Sequence, residues 1–286
     1  MGDTGHPAKA SSHVQMQRTP LMNGDLAVVM DVAGTMLRMY RVAKDIETGT
    51  ILEKVITWKL IMEKANRALV VPQMDPSALL TCPPDDTLAR LFSGLKDIME
   101  VSCSSSPMSK EQAFDIVCRS RVSVRDLREV YLKVIYRCPD IYHTAGLIVD
   151  ADRQDVVFSL STGGAPFPGL EQVLADLKRL GADVIVASGD SMRSLSRLTR
   201  LGIDLSRVYP VSSPQRKKEI VADLKNRYRH VVMVGDGLND IYALQTADLG
   251  ILTVQQDTRP SPDLLSAADE IIDDIRKLPI LLRKYA

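Results

Sequence analysis

Three short apolar runs constrain this chain most, because each ends abruptly in a small polar loop. Leu26-Ala27-Val28-Val29-Met30 runs into Asp31-Val32-Ala33-Gly34-Thr35. Asp183-Val184-Ile185-Val186-Ala187 runs into Ser188-Gly189-Asp190, and His230-Val231-Val232-Met233-Val234 into Gly235-Asp236-Gly237-Leu238-Asn239-Asp240. A run that is apolar on successive residues, not alternate ones, suits a strand buried on both faces, as in a parallel sheet covered by helices. Amphipathic segments separate the runs. Pro168 and Gly169 open GLEQVLADLKRL and Gly181 closes it, the expected polarity of a helix. Ser213 is an N-cap candidate, with Pro214 at the first position of PQRKKEIVADLKNRY. Arg207–Val211 and LGILTV read as further strands, and EIIDDIRKLPILLRKY as a short strand followed by a helix. The second half is therefore predicted to be α/β, a Rossmann-like parallel sheet sandwiched by helices. Ligands of such sheets sit beyond the carboxyl ends of the strands, where Asp31, Ser188 and Asp236 fall.

Residues 38–159 break this rhythm. MLRMYRVAKDI and ILEKVITWKLI flank Glu47-Thr48-Gly49-Thr50 and predict a hairpin. Helical stretches follow near 85–99, 109–119 and 123–137, and GLIVDADRQDVVFSL predicts a second hairpin. The expected organisation is a flexible tail over residues 1–24, a core built from 25–37 and 160–286, and an inserted α+β cap over 38–159. STGGAPFPG, at the return from the cap, reads as a hinge or as a phosphate loop.

Bulk properties exclude several functions. Thirty-six basic residues balance 36 acidic ones, so no global field draws the chain to nucleic acid or to an anionic membrane. No apolar run approaches the roughly 18–20 residues of a membrane helix. The first two dozen residues lack the apolar stretch of a signal peptide. Cys82, Cys103, Cys118 and Cys138 form no CxxC pair, which argues against zinc and for reduced thiols in the cytoplasm.

Carboxylates at neighbouring strand ends repel each other unless a cation lies between them. Asp31, Asp236 and the nearby Asp240 form a hard oxygen shell suited to Mg²⁺, which retains waters and bridges to phosphate. Lys217 is the candidate to offset the negative charge when phosphate arrives. Ser188 offers a hydroxyl, and Gly189 a backbone N–H, to phosphoryl oxygens. Taken singly each has an ordinary reading: Asp31 as a turn residue, Ser188 as a turn serine, Lys217 as a solvated helix lysine, GDGLND as a Gly-rich turn.

Taken in order, DVAGT, the serine of SGD, Lys217 and GDGLND resemble the four motifs of the haloacid dehalogenase-like hydrolases. The likeness is nearest to the phosphorylation domain of P-type ATPases and covers about residues 25–37 and 160–286. The resemblance implies that Asp31 is a nucleophile forming an aspartyl-phosphate. It implies that Asp31, the Ala33 carbonyl and Asp236 hold Mg²⁺ with Asp240 at or just behind the metal. Ser188, Gly189, Lys217 and Asn239 then belong to the substrate-binding set, for a small phosphorylated substrate.

Ala33 departs from the usual pattern. Most phosphatases of this superfamily carry DxD, whose second aspartate protonates the leaving group, and such assistance is typically worth ~10²–10⁴ in rate. P-type ATPases have threonine there. The phosphonoacetaldehyde hydrolase branch has alanine, but also requires a Schiff-base lysine from its cap. Lys44, Lys54, Lys59 and Lys64 are available, without a match to that branch's cap motifs. Three readings follow: a phosphohydrolase favouring good leaving groups, a C–P bond hydrolase, and a regulatory or binding protein on the same fold. The cap carries no recognisable nucleotide motif.

Overall fold

The computed structural model describes residues 25–93, 98–138, 142–190, 192–256 and 259–284; the tail expected over 1–24 lies outside them. The chain starts with β1 (Leu26–Met30) and then makes a long excursion. This comprises β2 (Leu37–Asp45), β3 (Ile51–Glu53), α1 (Thr57–Met62), β4 (Arg67–Pro72), α2 (Leu88–Leu91) and β5 (Met99–Ser104). It continues through α3 (Lys110–Arg119), α4 (Val124–Arg137), β6 (Tyr142–Asp150) and β7 (Asp155–Pro166). The chain then alternates through α5 (Leu170–Arg179), β8 (Asp183–Ala187), α6 (Met192–Leu195), β9 (Val208–Tyr209), α7 (Pro214–Lys225) and β10 (His230–Gly235). It ends with α8 (Ile241–Thr246), β11 (Leu249–Thr253), α9 (Pro262–Ser266), β12 (Glu270–Ile272) and α10 (Leu278–Leu282).

Two sheets result. The first is parallel, in the order β12-β11-β10-β1-β8-β9. All five residues of β1 are buried because the strand is central and both of its faces are covered. Leu26, Val28 and Met30 pack with Leu170, Leu174 and Leu177 of α5 and Leu278 and Leu282 of α10. Ala27 and Val29 pack with Ile220, Val221 and Leu224 of α7 and Ala243 and Leu244 of α8. Burying each large aliphatic side chain contributes about 1.5–3 kcal/mol, which explains why every position of the strand is apolar.

The second sheet is antiparallel, in the order β3-β2-β7-β6-β4-β5. Its strands begin at Leu37 and end at Pro166, which are register partners. Val42 packs with Val130 and Val134 of α4 on one face, while Leu37 and Met39 on the other face join the core of the parallel sheet. Lys44 reaches the same helix as Val42, pairing with Asp126 at 2.8 Å and Glu129 at 2.6 Å. Alternate residues of β2 thus serve opposite faces.

Three expectations for this region need correction, and two strands are added to it. The second arm of the first hairpin is strand only over Ile51–Glu53; Lys54 turns left-handed (φ 55°) and α1 follows, sending the adjacent Leu60 and Ile61 inward together. Helix near 85–99 reduces, in the described residues, to Leu88–Leu91, since Met99 already opens β5. β4 and β5 themselves were not anticipated. Ser161–Pro166, expected as a hinge or phosphate loop, is the end of β7. Its glycines serve close packing. A Cβ on Gly163 would lie 2.6 Å from Val134 Cγ1, and one on Gly164 3.1 Å from Leu37 Cδ1.

Candidate active site

Asp31 follows β1, and its N–H donates to the Val234 carbonyl at 3.0 Å, continuing the pairing with β10. That pairing brings the two loops together from opposite ends of the sequence. Gly34 makes the approach possible: its φ is +87°, and a Cβ there would lie 1.8 Å from Asp236 Oδ2. No other residue fits both the backbone angle and the gap.

Lys217 enters through the helix that Ser213 and Pro214 begin. The Ser213 hydroxyl accepts the Arg216 N–H at 3.2 Å. Lys217, Ile220, Val221 and Leu224 share the inward stripe of α7, so the lysine heads an otherwise apolar face and is 0% exposed, while Lys218 points to solvent. Its Nζ donates to Asp31 Oδ1 at 2.5 Å and to Asp240 Oδ1 at 2.6 Å. The other oxygen of Asp240 accepts the N–H groups of Asp236 and Gly237, both at 3.2 Å. Asp240 is therefore held from three sides and is fully buried.

Asp31, Asp236 and Asp240 can each offer an oxygen within 4.8 Å of the others. One ammonium does not compensate three carboxylates in so buried a place. Burial pushes Asp31 up to about 7, assisted by the charges of Asp240 and Asp190 and opposed by Lys217. Asp236 is raised well above the ordinary carboxylate range by burial and then by Asp31 and Asp240. Lys217 is raised despite its burial, because Asp31 and Asp240 stabilise its charge. An all-oxygen donor set with surplus negative charge fits a hard divalent cation.

Ser188 is buried at the end of β8, but its hydroxyl donates to Asp190 Oδ2 at 2.9 Å and accepts the Asp190 N–H at 3.2 Å. Asp190 also accepts the Tyr142 hydroxyl, from β6 of the antiparallel sheet, at 2.6 Å. The carboxylate thereby ties the Ser188 loop to the second sheet. The neighbouring Val211 is a β-branched residue at φ 49°, a strained conformation; its N–H donates to the Asp190 carbonyl at 2.9 Å. Gly189 is exposed beside this loop. Asn239 is exposed as well, and a Cβ on Gly237 would lie 2.5 Å from its Oδ1. Ala33 is half-buried against the core of the parallel sheet and brings no acid to the site. Tyr142 and Asp190 were not singled out from the sequence; the one available signal was a phenol in a strand that is otherwise largely apolar.

Residues 26–248 match the model of the haloacid dehalogenase-like hydrolases. The chain belongs to that family. Among its haloacid dehalogenase-like relatives, the soluble P-type ATPase-like phosphatase of Methanocaldococcus jannaschii is 28% identical over 263 residues, 91% of this chain and 93% of the relative. The copper-transporting ATPase ccc2 of Schizosaccharomyces pombe is 40% identical over 88 residues, 30% of this chain and only 10% of the ATPase. A solved catalytic domain of the CPx-ATPase CopB-B covers 48% of this chain and 53% of its own, with 28% identity and a TM-score of 0.42. Among the described residues, no helix is long and apolar enough to cross a membrane.

The crowding of carboxylates has a measurable consequence. Asp31 binds its proton more tightly folded than unfolded, so its contribution to stability is present below about 4 and lost as pH rises through about 7. A bound cation reverses that loss. In thermal melts, the gain in Tm on exchanging EDTA for Mg²⁺ should be several degrees at pH 8 and clearly smaller at pH 5. An equal or larger gain at pH 5 would show that these carboxylates are not the binding site.

Proposed function

We propose that this chain is a Mg²⁺-dependent phosphohydrolase that works through an aspartyl-phosphate on Asp31 and acts on small phosphorylated substrates with good leaving groups. The observation that carries the reading is the Asp31 carboxylate at the end of the central strand, held by Lys217 at 2.5 Å beside Asp236 and Asp240. The relation to a protein described as a soluble P-type ATPase-like phosphatase, along nearly the whole of both chains, supports it.

In the first step an Asp31 oxygen attacks phosphorus, the P–O bond to the leaving group breaks, and its electron pair stays on the departing oxygen. In the second, water attacks the phosphorus of the aspartyl-phosphate, the P–O bond to Asp31 breaks with its electron pair returning to the carboxylate, and phosphate leaves with the water's oxygen while a proton passes to solvent. Lys217 keeps Asp31 ionised and oriented in the first step and neutralises charge on the phosphoryl group in both. A Mg²⁺ held by Asp31 and Asp236, with the Ala33 carbonyl and Asp240 in support, would supply further neutralisation of the phosphoryl oxygens. Ser188 and Gly189 receive phosphoryl oxygens, the serine by turning its hydroxyl away from Asp190.

Ala33 sets the substrate preference. With no carboxylate at that position, an alkoxide leaves unprotonated, so kcat/KM should fall steeply as leaving-group pKa rises. Ala33→Asp should flatten the slope and raise activity on alkyl phosphates by about 10-fold or more, within the usual reach of acid catalysis. Equal, efficient hydrolysis of alkyl and aryl phosphates by the unaltered protein would place an acid elsewhere. The C–P hydrolase alternative finds no such support. Lys44 is engaged by Asp126 and Glu129 on the face of β2 turned to α4, and Lys54, Lys59 and Lys64 are exposed.

A further inference from the structure

We propose that Arg41 of β2 is a specificity residue that binds an anionic oxygen group, carboxylate or phosphate, on the leaving-group side of the substrate. This rests on the phosphohydrolase reading above and extends it to the substrate's other end.

Strand register sets the position of Arg41. Arg41 pairs with Thr162 of β7, and Thr162 with Thr144 of β6. Paired residues of an antiparallel sheet project to one face, so these three side chains form a row. Met39, Gly164 and Tyr142 form the adjacent row on the same face, about 7 Å nearer the core. Two contacts fix where that face points: Met39 lies in the core of the parallel sheet, and the Tyr142 hydroxyl reaches Asp190. The opposite face, with Val42 and Lys44, is turned to α4. Arg41 and the two threonines thus lie one row beyond Tyr142 on the face turned to the carboxyl ends of the parallel strands.

The cation is also uncommitted. Lys44, Arg67, Lys110, Arg125 and Arg153 of the same region each have a carboxylate partner. Arg41 is half-buried and, among the described residues, makes no side-chain hydrogen bond or ion pair. A partly desolvated charge left without a partner is costly, and is kept where a ligand completes it. Its charge reaches the Tyr142 hydroxyl, lowering that group's proton affinity against the larger effect of its burial.

The guanidinium is a planar fork that matches carboxylate or phosphate oxygens in pairs. It does not give up a proton, so it does not replace the acid missing at Ala33. Instead it stabilises by charge the electrons that the broken P–O bond leaves on the departing group. A leaving group bearing its own anion would gain both binding and departure.

Binding and turnover test this separately. Calorimetry in Mg²⁺ would compare methylphosphonate with phosphonoacetate and with methylenediphosphonate, which carry a second carboxylate or phosphonate. The unaltered protein should prefer one doubly anionic probe by about 30-fold, and which one identifies the group. Arg41→Ala should reduce that preference to within about 3-fold, and Arg41→Lys should restore part of it, with melts confirming that both variants fold. In turnover, Arg41→Ala should lose far more on 4-carboxyphenyl phosphate or pyrophosphate than on p-nitrophenyl phosphate. Equal losses on singly and doubly anionic probes, or no preference in the unaltered protein, overturn the assignment. If no phosphate compound is hydrolysed yet the binding preference depends on Arg41, the phosphohydrolase reading fails and the anion site stands.

Discussion

Asp31→Asn is expected to reduce phosphate release by about 10⁴-fold or more, since it removes the atom that attacks phosphorus and leaves the surroundings in place. The amide oxygen still accepts from Lys217, so the fold persists. Loss of a buried carboxylate whose pKa is pushed up to about 7 should also make the variant more stable than its parent in EDTA at pH 8. Two readouts separate this from a general defect. Acid-quenched reactions with radiolabelled substrate should show label on the parent protein and none on the variant, while melting curves show the variant folded. Substantial turnover by folded Asp31→Asn protein would exclude the covalent mechanism. Silence of the parent protein on every phosphate compound would favour a binding or regulatory role on this fold.

Lys217→Met should damage stability and activity together. It leaves Asp31 and Asp240 buried with neither charge compensated, a loss of about 3–5 kcal/mol by comparison with other broken buried pairs. Asp31, already pushed up to about 7 by burial, can escape by taking a proton, so the deficit should shrink toward pH 5. Mg²⁺ should recover part of the stability but not the rate, because the phosphoryl charge still lacks its lysine; a reduction of about 10²–10³-fold is expected. Lys218→Met, one residue along and exposed, should be nearly neutral in both respects. Denaturant titrations and steady-state rates on the two variants decide it. Similar behaviour of the pair would mean that the buried lysine is not electrostatically coupled to the site.

How far the sequence foretold this site depends on the range of the contacts involved. Asp31, Lys217, Asp236 and Asp240 were legible because each lies within a few residues of an apolar run or helix start whose pattern is local. The parallel half was legible for the same reason. With both faces covered, β1 throughout and β10 after its first residue, His230, have no polar positions until the chain leaves the sheet, and the charged residue that follows marks the edge. The antiparallel half was harder. β5 carries an exposed glutamate and serine and a second, half-buried serine, and Ile56 just before α1 with Leu60 and Ile61 inside it makes an order that reads equally well as strand. Arg41 and Tyr142, and the bond that joins Tyr142 to Asp190, lay beyond reach of such reading. Their relation comes from the register of β2, β7 and β6 and from one hydrogen bond across 48 residues, neither of which leaves a trace in local periodicity.

The pairing of Leu37 with Pro166 bears on how such a protein can change. The chain departs from the parallel core and returns to it through adjacent positions, so everything between them is wired as one side branch. A short turn joining the two points would leave the order of the six parallel strands untouched, and a different branch could be spliced in at the same stem. Joining ends already in contact adds little loop-closure entropy. The carboxylates and the lysine would be inherited with the trunk, and Arg41 with the branch. Chemistry and choice of substrate would then be separately transmissible, free to recombine without either having to be reinvented.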